Sequence, residues 1–145
     1  MAVRKASAVW EGDLPNGNGR IKFAGFEGPY SYASRFEEGA GTNPEELIGA
    51  AHAGCYAMAF SNMLAKAGFT PRRMEASAAV TLGKVDGRSR ITNIHLDVTG
   101  DVPGVDGETF QRIAEEAKVG CPVSAALTGV NITLKARLAQ NVNSG

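Results

Sequence analysis

Two cysteines, Cys55 and Cys121, are the residues of this chain whose type and setting best suit chemistry. Cys55 lies within an apolar run that favours a helix, residues 48–64. Cys121 stands between Gly120 and Pro122, where one helix must stop and another can start. Two thiols in such different settings suit one thiol that attacks and a second that responds to it. The leading hypothesis from these residues is therefore redox chemistry.

The composition narrows the class of protein. A chain of 145 residues is about one domain long and can bury a core without disulfide support. Its 15 lysines and arginines balance its 15 aspartates and glutamates, so there is no basic field for a nucleic acid. No charged and apolar leader opens the chain, and no apolar run reaches the roughly 20 residues of a membrane span. We therefore expect a single domain, residues 1–145, in the cytoplasm, with a small molecule or a protein as partner.

Alternation of polar and apolar residues predicts strands in both halves of the chain. The predicted strands cover residues 3–10, 20–26, 74–83, 92–98 and 130–139. The Asn-Gly repeat at residues 16–19 tolerates positive φ and indicates an opening hairpin, and Asp86 with Gly87 indicates a second one. The sequence thus predicts two hairpins and one further strand.

A long helix is predicted between two well-marked ends. Asn43 can cap it, Pro44 can take its first position, and Glu46 can complete a variant capping box. Gly68 can adopt the left-handed conformation that ends a helix. Apolar residues cover most of the circumference between these ends, so we expect a buried central helix that carries Cys55.

A second helix is predicted over residues 106–119, and a short helix, residues 122–127, can follow it. Cys121 would cap the short helix, where free backbone N–H groups favour a thiolate. Burial within the long helix has the opposite effect on Cys55, so this thiol needs a cation from elsewhere in the chain. Arg35 is the candidate, in a segment that we expect to be a loop, and a solvated surface arginine is the alternative.

Three segments carry a more specific pattern. They are Arg-Phe-Glu at residues 35–37, Thr-Asn-Pro-Glu-Glu-Leu-Ile-Gly-Ala-Ala-His-Ala-Gly-Cys at residues 42–55, and Gly-Cys-Pro-Val-Ser at residues 120–124. In these segments the chain strongly resembles the OsmC family of osmotically inducible peroxidases, which is related to the organic hydroperoxide resistance proteins. Shorter matches extend the resemblance over almost the whole chain, at residues 10–13, 67–71, 84–86 and 102–106.

The resemblance implies an α+β fold of the OsmC type. Such a fold has antiparallel sheets, a long buried central helix carrying Cys55, and a second helix. The resemblance further implies a tightly intertwined homodimer with its active sites at the subunit boundary.

The resemblance also implies a function and the residues that perform it. The chain would be a thiol-dependent peroxidase that reduces organic hydroperoxides, and hydrogen peroxide more weakly, to alcohols in oxidative and osmotic stress defence. Carried over by position, Cys55 would be the peroxidatic thiolate and Cys121 the resolving thiol that forms a disulfide with it. Arg35 would activate the thiolate, and Glu45 would orient Arg35. No cofactor and no metal are implied, and the reductant would be an external dithiol such as a lipoylated protein.

The position of Glu45 raises a question of geometry. Glu45 lies ten residues before Cys55, which is about 15 Å along a continuous helix. Either the long side chain of Arg35 bridges the gap, or the first turn folds away, or a partner subunit delivers Glu45. We expect delivery from the partner subunit.

Other functions could use the same residues. The main alternative is a non-enzymatic redox sensor or hydrophobic-ligand binder with the same cysteine pair. Zinc binding is weaker, because the histidines and cysteines match no usual zinc spacing. A hydrolase using Cys55 and His52 lacks a visible oxyanion hole. His52, one turn before Cys55, can be a general base or a packing residue, and Tyr56, Met58 and Phe60 can form either an apolar wall or ordinary core.

Overall fold

The structure, a computed structural model, describes residues 1–139 of the 145-residue chain. The described residues form two compact units, Met1–Leu47 and a second unit that begins at Ile48. The single domain expected from the chain length stays a prediction.

The first unit contains a three-stranded antiparallel sheet. Strands β1 (Ala6–Glu11), β2 (Asn18–Phe23) and β3 (Phe26–Tyr30) follow one another in the sheet as they do in the chain. The opening hairpin predicted from the Asn-Gly repeat is confirmed. Strand β3 was not predicted, because it is only five residues long and includes a glycine and a proline.

A short helix, α1 (Tyr32–Phe36), follows the sheet and carries Arg35. The prediction of a loop for this segment was wrong. The helix begins with a capping box in which Ser31 and Ser34 satisfy each other's backbone N–H groups, over distances of 2.8 and 3.1 Å. A serine stands where a capping box usually has glutamate or glutamine, so the local signal for a helix was weak.

The long helix is α2 (Pro44–Lys66), and both of its ends are as predicted. The Asn43 side chain accepts a hydrogen bond from the Glu46 N–H at 2.8 Å. The Glu46 carboxylate instead accepts from the Thr42 hydroxyl at 3.2 Å, so the capping box is only half formed. At the other end Gly68 has φ +99° and the Phe69 N–H donates to the Leu64 carbonyl, as in a Schellman motif.

The second unit contains the other three-stranded sheet. Strands β4 (Arg73–Val85) and β5 (Arg88–Asp101) form the predicted hairpin, whose turn residues Asp86 and Gly87 both have positive φ. Strand β6 (Asn131–Leu138) pairs with β5 in parallel. This parallel pair departs from the antiparallel sheets that we expected. The physical reason is the helical connection from β5 to β6, which returns the chain to the end of the sheet where β5 began.

Two helices make that connection. Helix α3 (Gly107–Gly120) is capped by Asp106, whose carboxylate accepts a hydrogen bond from the Thr109 N–H at 3.0 Å. Helix α4 (Pro122–Ala126) follows after a single residue, Cys121. Both helices lie where the sequence predicted them.

The core of the second unit joins α2, α3 and β5. Its fully buried side chains include Tyr56, Phe60, Leu64, Ile94, Leu96, Val98 and Phe110. Helix α2 is buried on this side only, since Ala51, Gly54 and Met58 on its other side are exposed in the single chain. The central helix is therefore less completely buried within one chain than its apolar circumference suggested.

Candidate active site

The fold brings the two cysteines into contact. The sulfur atoms of Cys55 on α2 and Cys121 between α3 and α4 lie 3.1 Å apart, although 66 residues separate them in the chain. Both are free thiols; Cys121 is fully buried and Cys55 is partly exposed. The pair can therefore form a disulfide without a large movement of the backbone.

Hydrogen bonds to α3, made by Tyr56 next to Cys55 and by the Cys121 backbone, fix the positions of the two cysteines. The Tyr56 hydroxyl, next to Cys55, donates to the Ala114 carbonyl of α3 at 2.9 Å. The Cys121 N–H donates to the Ala117 carbonyl at 2.9 Å and so completes the last turn of α3. Because Pro122 lacks an N–H and favours the first helical position, the chain turns into α4 directly after Cys121.

The surroundings of Cys121 favour its thiolate. Burial alone would raise the pKa of this thiol, but the Ser124 N–H, the Cys55 thiol, the Ser124 hydroxyl and the Val123 N–H together lower it. Cys121 makes no capping hydrogen bond of normal geometry, so these donors act as nearby dipoles around the sulfur. The sequence predicted that the position of Cys121 before a helix favours its thiolate, and the lowered pKa agrees with that direction.

The surroundings of Cys55 disfavour its thiolate. Burial raises the pKa of this thiol, and the neighbouring Cys121 raises it further, against a smaller opposing effect of the Val123 N–H. The described groups of the second unit therefore do not stabilise the Cys55 thiolate on balance. An additional cation is required if this thiol is to attack a peroxide.

Arg35 and Glu45 form the second pair of candidate residues. The Arg35 Nη2 and Nε atoms lie 2.7 and 3.0 Å from the Glu45 Oε1 atom, and Nε lies 3.3 Å from Oε2. The Glu45 side chain is 9% exposed and that of Arg35 is 33% exposed, so the pair is poorly screened by solvent. The guanidinium is also over the Phe36 ring, 5.3 Å from its centre. This pair holds the Arg35 side chain in one orientation.

The Arg35–Glu45 pair forms within one chain, so Glu45 does not need to come from a partner subunit to hold Arg35. The physical reason is the connection between α1 and α2, which folds back on α1. The Asn43 amide donates to the Ser34 carbonyl at 2.9 Å, and the Ser34 hydroxyl donates to the Thr42 carbonyl at 2.7 Å. That a partner subunit's Glu45 serves Cys55 stays a prediction.

His52 and Ser124 form a contact that the sequence did not predict. His52 is fully buried, and its Nε2 lies 2.7 Å from the Ser124 Oγ on α4. Its Nδ1 is buried without a hydrogen-bond partner among the described residues. Burial lowers the pKa of His52 below its ordinary value of 6.5. The two residues are 72 positions apart, so no local signal could have revealed the contact.

Cys55 lies in the wall of an open cavity of about 770 Å³. The other lining residues are Met58, Ala59, Asn62, Met63, Gly120 and Pro122. Of the residues proposed as an apolar wall, Met58 lines this cavity, whereas Tyr56 and Phe60 are fully buried in the core. A mainly apolar molecule with one polar end could reach the Cys55 sulfur through this cavity.

Among residues 1–139, no group of three or more histidine, cysteine, aspartate or glutamate residues is arranged to hold a metal ion. None of the helices described here is both long and apolar enough to span a membrane. His95 on β5 is exposed.

Comparisons with known proteins agree with the sequence motifs. Residues 37–135 match the family model described as OsmC-like protein. The chain is 48% identical over 138 residues to peroxiredoxin OsmC of Escherichia coli (strain K12), covering 93% of this chain and 96% of that protein. It is 32% identical over 98 residues to an organic hydroperoxide resistance protein of Xanthomonas axonopodis pv. citri, covering 66% and 67%. The solved structure of an OsmC-like protein from Vibrio cholerae O1 biovar eltor has a TM-score of 0.75 at 17% identity, covering 94% of this chain and 99% of that one.

Proposed function

The chain belongs to the OsmC family, and from that premise we propose that it is a two-cysteine thiol peroxidase that reduces organic hydroperoxides to alcohols. One observation carries the proposal: a pair of free thiols 3.1 Å apart, one of which lies in the wall of an open cavity. The curated relatives, named peroxiredoxin OsmC and organic hydroperoxide resistance protein, support a role in peroxide reduction and stress defence.

In the first step, the Cys55 thiolate attacks the terminal oxygen of the hydroperoxide. An S–O bond forms as the O–O bond breaks, which leaves a sulfenic acid on Cys55 and an alkoxide that takes up a proton to become the alcohol. Cys55 is the thiol that the cavity exposes, whereas Cys121 is fully buried. This difference in access supports Cys55 as the peroxidatic residue.

In the second step, Cys121 attacks the sulfenic sulfur of Cys55. The S–S bond forms, the S–O bond breaks, and the leaving hydroxide combines with the thiol proton as water. The 3.1 Å contact between the sulfur atoms supports this role, because closing the disulfide requires little motion. The disulfide also prevents oxidation of Cys55 to the irreversible sulfinic acid.

Arg35 is the proposed activating cation, because the raised pKa of Cys55 calls for one. A guanidinium offers fixed donors both to the thiolate and to the departing alkoxide. Glu45 holds Arg35 of its own chain, so the two residues would reach a Cys55 together. The prediction that Glu45 serves Cys55 of the partner subunit in a homodimer then extends to Arg35 as part of the same proposal.

An external dithiol returns the disulfide to two thiols, and its own two thiols become a disulfide. A lipoylated protein domain is the proposed donor, in the cytoplasm. The apolar lining residues of the cavity, such as Met58 and Met63, favour an organic hydroperoxide over hydrogen peroxide as substrate.

Thiol counting and disulfide mapping test this function. Reduced protein is mixed with one equivalent of cumene hydroperoxide without reductant, and then with excess hydroperoxide and dihydrolipoamide. We expect loss of both thiols, a Cys55–Cys121 disulfide within one chain, and many turnovers with the dithiol. Retention of both thiols, or oxidation of Cys121 alone, would overturn the proposal.

Single-cysteine variants separate the two roles. Cys55→Ser should consume no hydroperoxide, whereas Cys121→Ser should react once and then proceed to the sulfinic acid, as seen by mass spectrometry. A protein that stops after one equivalent in the presence of dithiol is a redox sensor, the alternative function.

A further inference from the structure

The cavity beside Cys55 has a polar side chain that the reaction described above does not use. Apart from Cys55, the residues described in the wall of this cavity are apolar residues, a glycine and Asn62. A cavity with mainly apolar walls takes its specificity from the few polar groups that it contains. Asn62 is therefore the side chain that can select among organic hydroperoxides.

Asn62 lies on the same face of α2 as the reacting thiol. Cys55, Ala59 and Asn62 follow one another at spacings of four and three residues, which places their side chains in one row along a helix. At a rise of about 1.5 Å per residue, Asn62 is about 10 Å from Cys55 along the helix axis. The cavity wall thus presents a thiol and, about 10 Å away, an amide, with an apolar surface between them.

The chemistry of Asn62 determines which ligand group it can bind. A side-chain amide both donates and accepts hydrogen bonds and carries no charge. Asn62 is exposed, so a ligand can reach the amide without any rearrangement of the core. Among the residues described in the cavity wall there is no lysine, arginine or histidine that could pair with a carboxylate. A neutral group such as a hydroxyl, which also both donates and accepts, therefore matches this amide best.

We propose that Asn62 is a specificity-determining residue, whose amide binds a neutral polar group of the substrate while the peroxide group contacts Cys55. The favoured substrates are hydroperoxides with a hydroxyl group about 10 Å from the peroxide. An extended chain advances about 1.2 Å per bond, so about eight carbon atoms span this distance. The hydrocarbon chain lies along Ala59 and Met58, between the two polar groups. The inference rests on the proposed peroxidase function and narrows its substrate class.

Primary alkyl hydroperoxides of about eight carbon atoms provide the test, with a methyl, a hydroxyl or a carboxylate at the far end of the chain. Stopped-flow measurement of Cys55 oxidation gives a second-order rate constant for each probe. We expect Asn62→Leu to lower the ratio of the hydroxyl to the methyl rate constant by about fivefold, the usual net effect of one neutral hydrogen bond. Asn62→Asp keeps an acceptor, so it should keep most of this ratio but react more slowly with the carboxylate probe.

Asn93→Leu is the matched control, because Asn93 is also exposed and lies on β5, outside the cavity wall. This variant should have the ratio of the wild type, and equal ratios in Asn62→Leu and Asn93→Leu would overturn the inference. Hydrogen peroxide is too small to contact Asn62 and Cys55 together, so its rate constant should be the same in all variants. If Asn62→Leu slows hydrogen peroxide as much as the hydroxyl probe, the residue acts on the thiol and the inference is wrong.

Probe length tests the distance, and a binding measurement separates the inference from the proposed function. With hydroxyl probes of about four, eight and twelve carbon atoms, the effect of Asn62→Leu should be largest near eight, and an effect independent of length contradicts the inference. If the wild type consumes no hydroperoxide, the proposed function is wrong. The unreactive diol of the same length still tests the contact, because it should shift the Asn62 side-chain NMR signals more than the corresponding mono-alcohol. Equal shifts with the two alcohols would refute the inference.

Discussion

At the scale of single residues, the two thiols differ in both access and acidity. Cys55 reaches the cavity and has a raised pKa, whereas Cys121 is fully buried and has a lowered one. In thiol–disulfide exchange, the sulfur with the lower pKa leaves faster and the exposed sulfur is attacked more easily. Both differences therefore direct an incoming reductant to Cys55.

A trapped mixed disulfide checks this direction of attack. Oxidised protein is treated with a small monothiol, quenched with acid and mapped by mass spectrometry. We expect the adduct on Cys55, at least about tenfold more abundant than on Cys121, because Cys121 is the better leaving group. An adduct found mainly on Cys121 would contradict the assignment of access and acidity.

Arg35 and Glu45 give a second prediction for single residues. Arg35→Lys should lower kcat/KM for an organic hydroperoxide by about a hundredfold, since a lysine cannot reproduce the fixed donors of the guanidinium. Glu45→Gln should lower kcat/KM less, because this change loosens the Arg35 side chain but keeps its positive charge.

The matched control for Arg35→Lys is Arg20→Lys, in the exposed pair of Arg20 with Glu27. Steady-state assays with the same hydroperoxide should show wild-type kcat/KM for this variant. Equal activities of Arg35→Lys and Arg20→Lys would remove Arg35 from the catalytic residues.

At the scale of elements, the contact of α3 with the sheet depends on a glycine. A Cβ added to Gly100 on β5 would lie 3.0 Å from the Phe110 ring and 3.2 Å from the Met74 side chain. Phe110 is fully buried and cannot move away without disturbing the core. The absence of a side chain at this position therefore allows α3, which leads to Cys121, to approach β5 closely.

We expect Gly100→Ala to lower the free energy of unfolding by about 1–3 kcal/mol, the usual cost of overpacking a core. Urea denaturation measures this change. Gly83→Ala on β4 is the control, because the nearest atoms to its added Cβ are 3.9 Å away. If the two variants have the same stability, α3 does not pack on β5 as closely as described.

At the scale of the whole molecule, the exposed side of α2 offers a surface for the proposed association of two copies. Met58 is 76% exposed in the middle of this helix, beside the small residues Ala51 and Gly54. Small residues allow another surface to approach closely, and burying a methionine side chain stabilises an association by about 1.5–3 kcal/mol. This face supports the proposed homodimer.

We expect the wild type to be a dimer and Met58→Glu to be a monomer, or to dissociate at a much higher protein concentration, in light scattering after size exclusion. Burying a carboxylate in an apolar contact carries a large desolvation cost. Val119→Glu is the control, since Val119 is 74% exposed on another helix. A dimer of unchanged affinity in Met58→Glu would place the interface elsewhere.

The pH dependence of stability also belongs to the whole molecule. His52 is neutral when folded because burial lowers its pKa below 6.5, whereas in the unfolded chain it is protonated below 6.5. Stability is thus fully present above pH 6.5 and falls as the pH decreases from there towards the folded pKa. The slope contributed by this residue is at most about 1.4 kcal/mol per pH unit.

Urea unfolding at a series of pH values measures this slope. His52→Gln should flatten the decline below pH 6.5, whereas His95→Gln, at an exposed position, should leave it unchanged. The pKa of Asp106 is lowered from its ordinary value of 3.8, so this residue changes the stability only at more acidic pH than the range in which His52 titrates. Parallel curves for the wild type and His52→Gln would show that burial does not perturb His52.

Features encoded by neighbouring residues were predicted from the sequence. Asn43 and Gly68 mark the two ends of α2, and Asp86 with Gly87 marks the turn between β4 and β5. Each of these signals depends on backbone conformations and hydrogen bonds within a few residues, which the local sequence specifies. The motif around Cys55 also identified the family, which the comparisons confirm.

The tertiary structure alone decided which distant groups meet. The sequence did not predict the parallel pairing of β6 with β5, the contact of His52 with Ser124, or the pairing of Arg35 with Glu45 of its own chain. It also missed α1, because a serine stands at the third position of its capping box. Contacts across tens of residues depend on how helices and strands are connected and packed, and no local pattern records that arrangement. The sequence by itself therefore determined the family, the redox-active residue types and most elements, whereas the fold determined the contacts and acidity of the two thiols.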